Sequence, residues 1–176
     1  MTPTSGPPPY PDAARARLLL SYEACALSDL ARAAVPFPPD DLAADGTATA
    51  PGAALTDALR ILTAAHRLVA AAVVYERAAG TGWPAVADAL AVSPDAARAH
   101  FVPAETAFLT DLRSPAPEPP SLRAHMTREP LETAQDLDDW LRNPAPDAPE
   151  TLGTTPVSGG LLAHHRTPGT SDRHTP

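Results

Sequence analysis

Lysine is absent from this chain, and all thirteen basic residues are arginine. Side-chain amides are almost absent too, with only Gln135 and Asn143. With abundant alanine and 23 prolines, this is the codon signature of a GC-rich genome. Without lysine there is no phosphate-binding P-loop, and the one glycine-rich turn, Gly80-Thr81-Gly82, follows a helical pattern rather than a strand. Cys25 is the only cysteine, which excludes an intrachain disulfide and a multi-cysteine zinc site. Aromatics make up 5% of the chain, so the core must be built from leucine, valine and alanine and will be thin. The longest apolar run, 68–75, is too short to cross a bilayer, so no membrane contact is expected. The first ten residues lack the charged and apolar regions of a signal peptide. A cytoplasmic location is the expectation. An excess of cations is lacking as well: net charge is −8, and residues 54–113 carry five arginines against six acids. A basic footprint is the usual electrostatic mark of nucleic-acid binding.

Proline divides the chain. Residues 54–113 contain only Pro84, Pro94 and Pro103, whereas 114–176 contain eleven. The expected organisation is a disordered leader at 1–10, a helical domain at 11–113, a linker at 114–129, an acidic helix at 130–142 and a disordered tail at 143–176. Residues 11–35 form a first helix whose apolar face is Leu20, Ala24, Leu27, Ala31 and Ala34, opposite Arg17, Ser21, Ser28 and Arg32. Pro36, Pro38 and Pro39 stop it. A loop at 36–53 follows, whose Asp40, Asp41 and Asp45 lack the spacing of a calcium-binding loop. Thr56 or Asp57 caps a second helix that ends at Gly80. Its inner stripe is Ile61, Ala65, Leu68, Ala72, Tyr75 and Ala79, with His66 partly buried beside it.

The most informative stretch is 83–101, WPAVADALAVSPDAARAHF. Pro84 opens one short helix. Ser93 is a good N-cap for the next, because its hydroxyl accepts from an otherwise unpaired amide. Pro94 sits at the first helical position, and Asp95 favours the positive helix end. Val86, Leu90, Ala97 and Phe101 are spaced to share one small core. The second helix is expected to run from Pro94 to about Val102, with Pro103 separating it from another helix at 104–112. Trp83 packs on the long preceding helix.

This segment resembles the helix-turn-helix of bacterial, actinobacterial-type transcription regulators and is similar to the last DNA-binding region of sigma factors. Val86, Ala87, Leu90, Val92, Ser93 and Ala97 fall on that family's structural positions. The match covers 83–102, or 56–102 with the supporting helix. The resemblance implies DNA binding in transcription regulation, with Ser93, Asp95, Arg98 and His100 as the contacting residues. Two departures stand out. Ala91 occupies the turn position where the family often has glycine, and alanine is strained there if φ is positive. Pro94 and Asp95 replace the polar or basic residues that usually begin the recognition helix, and a carboxylate repels phosphate.

Residues 130–142, PLETAQDLDDWLR, form an amphipathic helix. Leu131, Ala134, Leu137 (or Asp138) and Leu141 share a face with Trp140 alongside; Leu131, Leu137, Trp140 and Leu141 are the candidate partner-binding residues, and Glu132, Asp136, Asp138 and Asp139 make the other side acidic. A helix this short is marginal alone, so it docks on this chain or in a partner's groove. His164, His165 and His174 lack the scaffold of a metal site. No nucleophile elbow or paired-carboxylate pocket is present, so neither a catalytic residue, a metal nor a cofactor is expected. The sequence therefore predicts an all-α bundle of about five helices containing a helix-turn-helix-like unit, with disordered Pro-rich ends. Its function is DNA-binding regulation or, alternatively, a non-enzymatic interaction module that keeps the fold. No residue pattern fixes an oligomeric state.

Overall fold

The structure is a computed structural model that describes residues 10–113, 126, 129–142, 153 and 155–161. Most of the expected leader, linker and tail, and the group His164, His165 and His174, lie outside the described residues. The fold is all-α, as the sequence predicts. Five helices are named here: α1 (Asp12–Ala33), α2 (Ala53–Ala78), α3 (Trp83–Leu90), α4 (Pro94–Arg113) and α5 (Pro130–Arg142). A 3-10 turn at Pro39–Asp41 and an isolated bridge between Leu42 and Ala48 shape the loop between α1 and α2. Asp45 closes that loop by accepting from the Thr47 amide at 3.0 Å and the Thr47 hydroxyl at 2.6 Å, and this bonding lowers its carboxyl pKa.

Among the described residues, three small cores run through the molecule. In the first, Leu18 of α1 meets Ala134 and Leu137 of α5, with Tyr10, Val157 and Leu161. In the second, Ala16 and Leu19 of α1 meet Ala71 and Val74 of α2, Phe108 of α4 and Met126. In the third, Val73 of α2 meets Trp83, Val86 and Ala87 of α3 and Ala97 and Phe101 of α4. Val86, Leu90, Ala97 and Phe101 share this last core, as their spacing implies. Helix α1 thus carries α5 on one side and α2 on the other, and α2 carries α3 and α4.

Alanine-rich helices carry apolar groups on every side, so periodicity fixed the helices but not the phase of their buried faces. On α1, Ala24 and Ala31 are exposed, and the buried residues are Arg15, Ala16, Leu18, Leu19 and Glu23. Glu23 is neutralised by Arg67 of α2, Nε to Oε2 3.1 Å. On α2 the buried residues are Ala64, Ala71, Val73 and Val74, while Ala65, Leu68 and Ala72 are only half-buried and Ala79 is exposed. His66 is exposed rather than partly buried. The helix also begins earlier than expected, after Gly52 at φ 85° and without a side-chain cap, because its first turn faces water. Thr56 instead donates its hydroxyl back to the Gly52 carbonyl at 3.0 Å. The C-terminal stop is as read: Gly80 takes φ +98°.

Three further expectations change. Helix α4 does not break at Pro103; it runs through it. An interior proline costs about 3 kcal/mol. Here Phe101 is buried in one core and Phe108 in another, and this anchors the two halves in line. Helix α2, 26 residues with a mean hydropathy of 1.4 in its most apolar window, is long and apolar enough to cross a membrane by length and composition, unlike the short run 68–75. Part of the expected tail is packed: Val157, Ser158 and Leu161 are buried against α1 and α5.

Trp83 packs as expected. It is 8% exposed, lies in the core with Val73, and carries the Arg77 guanidinium 4.7 Å above its ring. Trp83→Ala should lower unfolding free energy by about 3–5 kcal/mol, read by thermal or urea denaturation.

Candidate functional site

The candidate nucleic-acid interface is the corner between α3 and α4. Its turn is built from backbone bonds: Ala91 N–H donates to the Asp88 carbonyl at 3.2 Å, and Val92 N–H to the Ala87 carbonyl at 3.1 Å. This closure puts Ala91 at φ 54°, ψ 41°, the only non-glycine residue at positive φ among those described. The strain anticipated at the family's glycine position is therefore present. Ser93 then caps α4: its hydroxyl accepts from the Ala96 amide at 3.2 Å, and its carbonyl accepts from Ala97 at 2.9 Å.

Asp95, Arg98 and His100 are all exposed, but they do not converge. At about 100° per residue, the side of α4 opposite buried Ala97 and Phe101 is centred on Asp95, Ala99, Val102 and Thr106, all exposed. Arg98 sits at one border of that face. His100 sits at the other, its ring edge-on to Phe101 at 4.6 Å. The face that would enter a groove thus presents an acid, a methyl, a valine and a threonine.

The arginines of α2 do not supply the missing charge. Arg60 pairs with Asp57 at 3.0 Å, and Arg67 with Glu23. Arg77 stacks on Trp83, donates to the Thr81 carbonyl at 2.8 Å, and faces Glu105 of α4 with Nε 3.4 Å from Oε1. That last contact is an ion pair without hydrogen-bond alignment, since the buried Nε has no hydrogen-bond acceptor. Among the described residues, Arg98 and Arg113 are exposed on α4, while Arg60 and Arg142 are mostly exposed in weak pairs with Asp57 and Asp139.

The second candidate, α5, is docked on α1. Leu137 is buried, Leu141 packs on the same cluster, and Leu131 and Trp140 are half-buried. Trp140 donates its indole N–H to Asp29 at 3.1 Å and lies under Arg32 at 5.8 Å. Asp138 does not belong to the acidic outer side. It is 1% exposed and accepts from the Val157 amide at 2.7 Å, the Ser158 amide at 3.2 Å and the Ser158 hydroxyl. Arg17 completes the clasp by donating to the Val157 carbonyl at 2.9 Å. Helical spacing from Leu131 and Ala134 offers Asp138 as the alternative to Leu137 on the inner face, but its partners lie about twenty residues away in an irregular segment and are not legible from that spacing.

Among the described residues, no group of histidine, cysteine and acidic side chains is placed to hold a metal. Burial, with a smaller push from Asp29, raises the Cys25 thiol to about 11. What sequence reasoning missed is a set of large exposed apolar residues on α2: Leu55, Leu59, Leu62 and Val69. Their four-three spacing was the available signal. Val69 also borders an apolar groove of about 550 Å³ between α2 and α3, walled by Val73, Ala85, Val86 and Leu90. Comparison of the chain with protein-family models, curated proteins and solved structures returns no match.

Two outcomes follow. Ala91→Gly should raise stability by about 0.5–1 kcal/mol in urea denaturation, since relief of the left-handed strain, about 1–2 kcal/mol, exceeds the added chain entropy. Cys25 alkylation at pH 8 should be about a hundredfold slower than that of an unstructured peptide thiol, because thiolate governs the rate, and should rise towards pH 11.

Proposed function

We propose that this chain is a non-enzymatic helical interaction module that retains a helix-turn-helix arrangement without reading DNA. The carrying observation is the outer face of α4, where Asp95, Ala99, Val102 and Thr106 stand in place of cations. Phosphate contact supplies most of the affinity of a DNA-binding domain and needs several arginines or lysines on one surface. Here Arg60, Arg67 and Arg77 are held in intramolecular pairs. Large apolar residues are instead displayed on α2, at Leu55, Leu59, Leu62 and Val69, the last beside the α2–α3 groove. That distribution suits a protein surface better than a polyanion.

The runner-up, a DNA-binding regulator, rests on Arg98 and His100, which are exposed beside the capped start of α4. Fluorescence anisotropy with mixed genomic duplexes at low salt separates the two. The interaction module should show no binding up to roughly 10 µM, inside the usual non-specific range of about 1–100 µM. Submicromolar binding that weakens with salt, and that Arg98→Ala reduces by about 1–3 kcal/mol, would establish the regulator instead.

A further inference from the structure

We propose that the exposed face of α2 is a self-association surface and that its partner is a second copy of this chain, an inference that rests on the interaction-module reading and names its partner. Leu55, Leu59, Leu62, His66 and Val69 follow one another at steps of four, three, four and three. That is the seam spacing of paired helices. The leucines are 64, 54 and 50% exposed, Val69 is 39% exposed, and His66 is also exposed. The opposite side of the same helix is Ala64 and Ala71, buried on α1. The N-terminal half of α2 thus buries Ala64 and displays Leu55, Leu59 and Leu62.

The chemistry around the seam selects the occupant. The flanking positions are Thr56, Ala58, Thr63, Ala65 and Ala70, which are small and uncharged. Two identical faces therefore meet without like-charge repulsion and without bulk to hold the helices apart. The charges on this half of α2 are cancelled off the seam, Arg60 by Asp57 and Arg67 by Glu23. A lipid surface is disfavoured by the same fact: an interfacial helix needs a free basic border for anionic headgroups, and this chain has a net charge of −8. Asp57, Arg60, Arg67 and Glu23 sum to zero charge, so a strongly acidic or basic partner gains nothing overall.

Area points the same way. From Leu55 to Val69 the seam runs about 21 Å along the helix. Its side chains expose several hundred Å², already at the ~300–600 Å² of the largest patch on a typical monomer. It continues at Val69 into the α2–α3 groove, and a face of this size, below the ~800 Å² that each partner contributes to a standard interface, suits a weak dimer that forms with rising concentration. A closed two-fold dimer uses the same patch on both copies, as a self-complementary apolar seam requires.

Sedimentation velocity of the full chain from 1 to 200 µM tests this. The wild type should shift with concentration from 18.3 kDa to twice that mass. Leu59→Glu with Leu62→Glu should hold the chain at 18.3 kDa throughout, with unchanged helical circular dichroism, because both side chains are exposed in the monomer. Val92→Glu, an exposed apolar change away from the seam, should leave the dimer intact. A wild type that stays monomeric at 200 µM, or a double variant that dimerises as the wild type does, overturns the proposal. So does a monomer that co-floats with phosphatidylcholine–phosphatidylglycerol vesicles, which assigns the face to lipid. The interaction-module reading fails separately, by DNA binding in the anisotropy measurement, whatever the mass.

Discussion

The close pairing of α1 with α2 is the constraint from which the other contacts follow. It is made by alanine: Ala16, Ala64 and Ala71 are essentially inaccessible, and side chains this small let two helices approach at the short end of the usual range. One ion pair, Glu23 with Arg67, is set beside this contact, with the carboxylate buried and the guanidinium half in water. An exposed pair contributes little, but removing Arg67 would leave a buried carboxylate unpaired, which is costly. With α1 and α2 fixed, the outer side of α1 receives α5 and residues 155–161, and the C-terminal half of α2 receives Trp83, α3 and α4.

The α3–α4 corner shows how packing overrides local preference twice within a few residues. Ala91 accepts a left-handed conformation that costs an alanine about 1–2 kcal/mol. Pro103 removes one hydrogen bond from the middle of α4, yet the helix continues. Both penalties are tolerated because Trp83, Val86 and Phe101 on one side and Phe108 on the other are buried where only this path of the backbone can place them. With few aromatics in the chain, burying Trp83 and Phe101 in one core and Phe108 in the next places much of its hydrophobic stabilisation along α4.

Charge is used inward. In a helix-turn-helix that grips DNA, arginines of the supporting and recognition helices project to the backbone phosphates. In this chain Arg77 braces the α2–α3 corner by stacking on Trp83 and facing Glu105, Arg67 neutralises Glu23, and Arg17 and Arg32 secure 155–161 and α5. Structural use of arginine accompanies the apolar seam on α2: several arginines brace the monomer from within, while Leu55, Leu59, Leu62 and Val69 face out.

The sequence by itself determined where α1 and α2 stop and where α3 and α4 start. Pro84, Ser93 with Pro94, Gly80 and the proline cluster after Val35 act through bonds and torsions within a few residues, so their effect is legible without a fold. It also determined that 83–101 folds as two helices around one core, and that Ala91 would be strained if its φ were positive. The tertiary structure alone decided which faces are buried. Alanine on every side leaves helical phase undetermined, so Ala64 and Ala71 go in and Leu59 and Leu62 stay out because α1 demands a close approach. It alone decided that Asp138 is a buried clasp rather than one of four solvated acids, since its partners Val157 and Ser158 come from a distant irregular segment. And it alone decided that Arg77 braces the corner, because only the folded chain brings Trp83 and Glu105 to the same guanidinium.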